Sequence, residues 1–83
     1  MKLRYFAWVR ERIGIEEEDI APPGDVATIG ELVAWLTTRG EGYAYAFENP
    51  KVIRAAIDKT HVRADARIAG AGEIAFFPPM TGG

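Results

Sequence analysis

The chain starts with the segment KLRYFAWV at residues 2–9, in which Leu3, Tyr5, Ala7 and Val9 alternate with Lys2, Arg4, Phe6 and Trp8. A period of two in a segment rich in aromatic residues predicts a β-strand. The last residues of this segment also fit the start of a short helical turn, WVRERIG, which Gly14 would end. Residues 15–21 (IEEEDIA) predict a second strand, which should lie at a sheet edge because it is strongly charged.

The clearest helix in the sequence begins at Thr28. Thr28 and Glu31 have the spacing of a capping box, in which two side chains satisfy free backbone N–H groups at a helix start. Apolar residues then recur at i, i+3, i+4 and i+7: Ile29, Leu32, Val33 and Leu36. This spacing predicts one apolar stripe that faces the core. Arg39 would lie in the last turn, and Gly40 and Gly42 would end the helix.

The second half of the chain predicts three further strands. Residues 52–57 (VIRAAI) form the first, residues 61–63 a short returning strand after the turn DKT, and residues 73–77 (EIAFF) the last. Pro78 and Pro79 have no N–H group to donate, so strand pairing should stop there.

The order of these elements predicts an α+β fold, a mixed sheet of about five strands packed on one main helix. Residues 43–48 (YAYAFE) predict a short second helix or turn, whose aromatic residues should cap one end of the core. The helix stripe is expected to pack on apolar strand residues: Leu3, Tyr5, Ile57, Ile74 and Phe76.

Composition and charge narrow the class of protein. A length of 83 residues suits one domain, which we place at residues 1–79, followed by a flexible tail at 80–83. The sequence has no cysteine and one histidine, so no metal site is expected. A net charge of −2 without a basic stripe argues against nucleic acid as a partner. No apolar run reaches the ~20 residues of a membrane span, and we expect a cytoplasmic protein.

The last eight residues, FFPPMTGG, suit a reactive tail. Gly82 and Gly83 lack a Cβ and fit a narrow channel, and four extended residues span roughly 13 Å. The α-carboxylate of Gly83 is the one reactive group, and activation as an acyl-adenylate would let sulfur convert it to a thiocarboxylate. From the residues themselves, FFPP fits a packed final strand and its stop signal equally well. The candidate partner contacts are Phe77, Pro78, Pro79, Met80 and Thr81.

The ending FFPPMTGG resembles the FFPP-x-x-GG ending of the MoaD-type sulfur carriers, the small subunits of molybdopterin synthase. The segment YFAWVRERIG is also similar to that family's first strand and its F-A-x-x-R-E-x-x-G pattern. The residues that match this pattern are Phe6, Ala7, Arg10, Glu11 and Gly14.

This resemblance implies a ubiquitin-like β-grasp fold and a carrier that is not itself catalytic, because the active site lies on a MoaE-type large subunit. It implies that a MoeB-type activating enzyme uses ATP to adenylate Gly83, and that a sulfur donor system then forms the thiocarboxylate. It implies a heterotetramer that transfers sulfur to cyclic pyranopterin monophosphate for molybdenum cofactor biosynthesis, with no cofactor bound stably. Gly82 and Gly83 carry over as the reactive tail, and residues 76–79 as strand end and partner contact.

Two other functions would use the same activated carboxylate: a ubiquitin-like protein modifier, and a sulfur carrier for thiazole or tRNA thiolation. The FFPP segment favours the molybdopterin synthase carrier. Among the remaining residues, we expect His61 at the surface and residues 16–19 on a solvated strand edge. Trp8 and Trp35 suit either partial burial or an interface.

Overall fold

A computed structural model describes residues 1–79, which form five strands and three α-helices. The strands are β1 (Lys2–Tyr5), β2 (Glu17–Asp19), β3 (Arg54–Ile57), β4 (Thr60–Val62) and β5 (Glu73–Phe77). The helices are α1 (Ala7–Ile13), α2 (Ile29–Leu36) and α3 (Glu41–Ala46). Short 3₁₀ turns occupy Thr37–Arg39 and Pro50–Val52. The predicted tail, Met80, Thr81, Gly82 and Gly83, lies outside the described residues.

The sheet is mixed, and β5 lies at its centre. The strand order is β2-β1-β5-β3-β4, in which β1 and β5 are parallel and all other pairs are antiparallel. This topology confirms the predicted α+β fold with a five-stranded sheet. Ile57, one of the strand residues that were expected to face the core, is half-buried. The others are fully buried: Leu3, Tyr5, Ile74 and Phe76.

Helix α2 begins and packs as the sequence predicted. The backbone N–H of Glu31 donates to the Thr28 hydroxyl at 3.2 Å, and the Glu31 carboxylate accepts from the Thr28 N–H at 3.1 Å. The apolar stripe of α2 is buried along its whole length: Ile29, Leu32, Val33 and Leu36. Burial of such side chains stabilises a fold by about 1.5–3 kcal/mol each. Within residues 1–79, no helix has the length and apolar character to cross a membrane.

The strand predicted over residues 2–9 is wrong beyond Tyr5, and the alternative of a helical turn is confirmed. The Phe6 N–H still donates to the Phe76 carbonyl at 3.1 Å, after which the chain turns at Ala7 into α1. Val9 is fully buried on α1. Gly14 ends the helix with φ 95° and donates its N–H to the Arg10 carbonyl at 2.8 Å.

Three other strands begin or end elsewhere than predicted. β2 is shorter than residues 15–21, although its place at a sheet edge is confirmed. β3 begins at Arg54 because the 3₁₀ turn that starts with Pro50 occupies the residues before it. β4 begins at Thr60 because the turn consists of two residues, Asp58 and Lys59, with φ 47° and 72°. Two consecutive positive φ values are typical of the tight hairpin turn.

The short second helix or turn predicted at residues 43–48 is confirmed as the helix α3, although α3 begins two residues earlier. Gly40 precedes α3, but Gly42 lies inside that helix and does not end α2. A Cβ at Gly42 would lie 2.8 Å from the Arg12 carbonyl oxygen, so glycine is needed there for the close packing of α3 on α1. Phe47 is buried as expected, but Tyr45 is 52% exposed and lies against the Arg12 guanidinium instead of the core.

We expect Gly42→Ala to lower the free energy of unfolding by about 1–3 kcal/mol, because the added methyl group must displace the backbone of α1. Urea unfolding measures this change. Gly24→Ala is the matched control, because a Cβ there would meet nothing within 4 Å. Equal unfolding midpoints for the two variants would contradict the close contact between α1 and α3.

Candidate functional site

The site that the sequence predicted lies where β5 ends. β5 is paired on both sides up to its last residues, with Phe76 opposite Tyr5 of β1 and Phe77 opposite Arg54 of β3. Alternation along the strand places Phe76 in the core with no exposure and Phe77 on the opposite, outer face of the sheet. This confirms the predicted division of the two phenylalanines. Residues 77–79 are all half-buried, so they are accessible to a partner.

The outer face beside Phe77 carries two further aromatic side chains. The His61 ring of β4 stacks on the Phe77 ring, with centroids 5.2 Å apart and an interplanar angle of 11°. Phe6 continues β1 in an extended conformation, is 37% exposed and lies under the Arg4 guanidinium at 5.2 Å. We call Phe6, His61 and Phe77 the outer aromatic surface.

The sequence prediction found Phe77 but missed Phe6 and His61 as members of this surface. His61 is exposed, which confirms its expected place at the surface. It lies on the outer face because it pairs with Ala56 of β3, which in turn pairs with Ala75 of β5. The alternation of inward and outward residues along β3, β4 and β5 was the signal in the sequence. It places His61 on the outer face only once the strand register is known.

The inner face supports the end of β5 with an aromatic cluster. The Phe76 ring stacks with Tyr5 at 6.3 Å and meets Phe47 edge-on at 5.3 Å. Tyr5 in turn contacts Tyr43 of α3 edge-on at 6.5 Å. Such aromatic pairs add about 0.5–1.5 kcal/mol each beyond their burial. The strand that precedes the tail is therefore held firmly from within the core.

Glu18 ties this cluster to the edge of the sheet. Its carboxylate accepts hydrogen bonds from the hydroxyls of Tyr5 and Tyr43, each at 2.7 Å, and from Arg39 at 3.1 Å. The prediction of a solvated edge over residues 16–19 is therefore wrong for Glu18, whose side chain is only 15% exposed. Its pairing with Leu3 turns Glu18 toward the inner face.

These contacts shift the protonation equilibria of the cluster. Burial by itself would raise the pKa of Glu18, but the hydrogen bonds from Tyr43 and Tyr5 and the charge of Arg39 outweigh it, so the pKa lies below its ordinary value of 4.5. Burial, followed by the bond to Glu18, raises the pKa of Tyr5. The same two causes raise the pKa of Tyr43. At neutral pH the cluster therefore holds an ionised carboxylate between neutral hydroxyls.

The remaining sequence candidates lie on the helices. Trp8 and Trp35 are both half-buried and packed against the core, each with an arginine side chain near its ring. Arg10 of the motif in the first helix is exposed and forms a surface ion pair with Glu16 at 4.0 Å. Glu11 is exposed on α1.

The chain belongs to the ThiS family, whose profile matches residues 3–83. Two relatives, from Escherichia coli (strain K12) and Haemophilus influenzae, are named molybdopterin synthase sulfur carrier subunit. Each is 35% identical over 83 residues, which cover 100% of this chain and 99% of the relative. The resemblance described from the sequence is confirmed.

Solved structures confirm the ubiquitin-like β-grasp fold. SAMP1 from Haloferax volcanii superposes with a TM-score of 0.71 at 25% identity, over 100% of this chain and 98% of that one. A putative molybdopterin converting factor subunit 1 from Pyrococcus furiosus superposes with a TM-score of 0.73 at 23% identity, over 95% of both chains. The second likeness concerns the fold only.

The Glu18 cluster predicts an acid-sensitive fold. Because the folded-state pKa of Glu18 is lowered, its contribution to stability is complete above about pH 4.5 and is lost as pH falls through the folded-state pKa. Glu18→Gln should lower the free energy of unfolding at pH 7 by about 1–3 kcal/mol and flatten its decline below about pH 4.5. Urea unfolding across this pH range measures both effects.

Glu17→Gln is the matched control on the same strand. Glu17 is 45% exposed and forms surface ion pairs with Lys2 and Arg4, so its loss should change stability by less than about 1 kcal/mol. An acid response of Glu18→Gln that matches the wild type would show that Glu18 does not carry the effect.

Proposed function

We propose that this chain is a sulfur carrier subunit of molybdopterin synthase and acts in molybdenum cofactor biosynthesis. The observation that carries this proposal is the match over the whole chain to two relatives of that name. The structure supports this proposal with a central strand, β5, whose last residue, Phe77, belongs to the outer aromatic surface. That arrangement suits a carrier that presents its last residues to a second protein.

The chemistry of the proposal takes place at Gly83. The carboxylate oxygen attacks the α-phosphorus of ATP, pyrophosphate leaves, and an acyl-adenylate forms on an activating enzyme. A sulfide equivalent from a donor system then attacks the carbonyl carbon, AMP leaves, and a thiocarboxylate remains. The thiocarboxylate sulfur attacks a carbon of cyclic pyranopterin monophosphate and displaces an oxygen there. Water then cleaves the resulting thioester, so that sulfur stays on the pterin and the Gly83 carboxylate is regenerated. Holding the sulfur on a bound carrier makes this attack effectively intramolecular, which favours the transfer.

The large subunit of the synthase is the partner that receives the tail in this proposal. Ordering four residues costs about 4–8 kcal/mol of conformational entropy, so contacts outside the tail must offset it. The outer aromatic surface and Pro78 and Pro79 provide half-exposed apolar area next to the tail. Met80 and Thr81 are proposed to continue this contact. We place the complex in the cytoplasm as a heterotetramer with two copies of each subunit.

A second candidate function is that of a protein modifier. The likeness to SAMP1, which belongs to the small archaeal modifier proteins, covers the whole chain at 25% identity and favours this candidate. Here an amine of a target protein would attack the same acyl-adenylate in place of sulfur, and an amide bond would form as AMP leaves.

Intact-mass measurement distinguishes the two functions. After incubation with a MoeB-type activating enzyme, ATP and a sulfur donor, the chain should gain the mass difference of one sulfur for one oxygen. That gain should disappear when large subunit and pterin precursor are added. Deletion of Gly83 should abolish the mass gain without changing the urea unfolding midpoint. Gly24→Ala is the control and should retain the mass gain. Stable amide adducts to other proteins would support the modifier instead.

Phe77→Ala should weaken binding to the large subunit by about ten-fold or more, because truncation of a central aromatic contact typically costs about 2 kcal/mol. Its free energy of unfolding should fall by less than about 1 kcal/mol, since Phe77 lies outside the core. Ile15→Ala is the control, because Ile15 is 39% exposed and lies outside the outer aromatic surface. Calorimetric titration that gives equal affinities for both variants would remove Phe77 from the interface.

A further inference from the structure

Charged side chains are distributed unevenly over the described part of the chain. Of the 10 lysines and arginines in the sequence, five form ion pairs within 4.0 Å: Lys2, Arg4, Arg10, Arg12 and Arg39. Within residues 1–79 the other five have no carboxylate at that distance: Lys51, Arg54, Lys59, Arg63 and Arg67. These five cations all follow residue 50 in the sequence.

Two of these arginines and Lys51 line one open cleft of about 480 Å³. The cleft lies where β3 begins and β4 ends, and Lys51, Arg54, His61 and Arg63 supply its basic side chains, all of them exposed. None of the described residues that line it is acidic. We call these four residues the basic cleft.

The basic cleft adjoins the end of β5. Arg54 pairs directly with Phe77, and His61 stacks on the Phe77 ring, so both belong to the cleft and to the surroundings of the proposed tail exit. A protein that encloses the residues after Pro79 must therefore approach this cleft. Unpaired cations that are covered by an uncharged surface lose hydration without compensation, which costs free energy.

We propose that the basic cleft docks onto an acidic surface patch of the protein that receives the tail, the large synthase subunit. This inference rests on the proposed function, and it names the chemistry of the partner's surface around the tail channel. Carboxylates on that surface pair with Arg54 and Arg63, which align the carrier so that its tail enters the channel. Exposed charges of this kind chiefly speed association and select the partner.

A double charge reversal, Arg54→Glu with Arg63→Glu, tests the proposal in the full chain. Its association with the purified large subunit should be at least about ten-fold slower than that of the wild type at about 50 mM NaCl. The difference should shrink at about 500 mM NaCl, where exposed charges are screened. Stopped-flow or surface-based kinetics give the rates, and urea unfolding verifies that each variant is folded.

Two control variants make the test specific. Lys59→Glu with Arg67→Glu changes the net charge equally but lies outside the cleft, and it should associate at nearly the wild-type rate. Arg54→Lys with Arg63→Lys keeps the charges and should retain most of the association rate.

Each other outcome overturns the inference. Equal slowing by both reversals would show a long-range effect of net charge, and unchanged association would show that the cleft makes no contact. Faster association of the cleft reversal would show that the cleft holds this chain's own terminal carboxylate or a small anion. Failure of the wild type to bind the large subunit would refute the proposed function. If deletion of Gly83 abolishes sulfur transfer but the cleft reversal associates at the wild-type rate, only this inference is refuted.

Discussion

The pairing of β5 on both of its sides is the constraint on which the rest of this structure depends. The strand is parallel to β1 and antiparallel to β3, and its Phe76 is enclosed by Tyr5 and Phe47. A strand in the centre of a sheet has its backbone hydrogen bonds satisfied on both edges, so it cannot shift register cheaply. The end of β5 at Phe77 is therefore a fixed point of the fold.

One face of the sheet packs on the core, and the other carries the surface that we propose binds a partner. The inner face contains the aromatic cluster around Phe76 and the hydrogen bonds of Glu18, which link β1, β2 and α3. The outer face contains the outer aromatic surface, whose members contribute little to the core. Because successive strand residues point to opposite faces, Phe76 faces the core and the adjacent Phe77 faces the proposed contact surface.

The charged side chains differ between the two halves of the chain. The acidic residues 16–18 and Glu48 neutralise the cations of the first half of the chain, and a surface pair of this kind is worth little by itself. Of the cations with no carboxylate within 4.0 Å among residues 1–79, Lys51, Arg54 and Arg63 lie in the basic cleft beside the end of β5. In the proposed complex, the partner is selected by its charge as well as by its apolar contact with Phe77.

Local sequence signals were enough to predict α2, β5 and the chemistry available to the tail. These depend on local signals: the capping box at Thr28, a helical apolar period, alternation in EIAFF, and two prolines that stop pairing. The positions of Glu18, Gly42, His61 and the basic cleft could be found only from the packing of the elements in three dimensions. Each depends on strand register or on contact between distant segments, such as β2 with α3 or α3 with α1. Local propensity carries no information about such contacts, because packing between elements creates them.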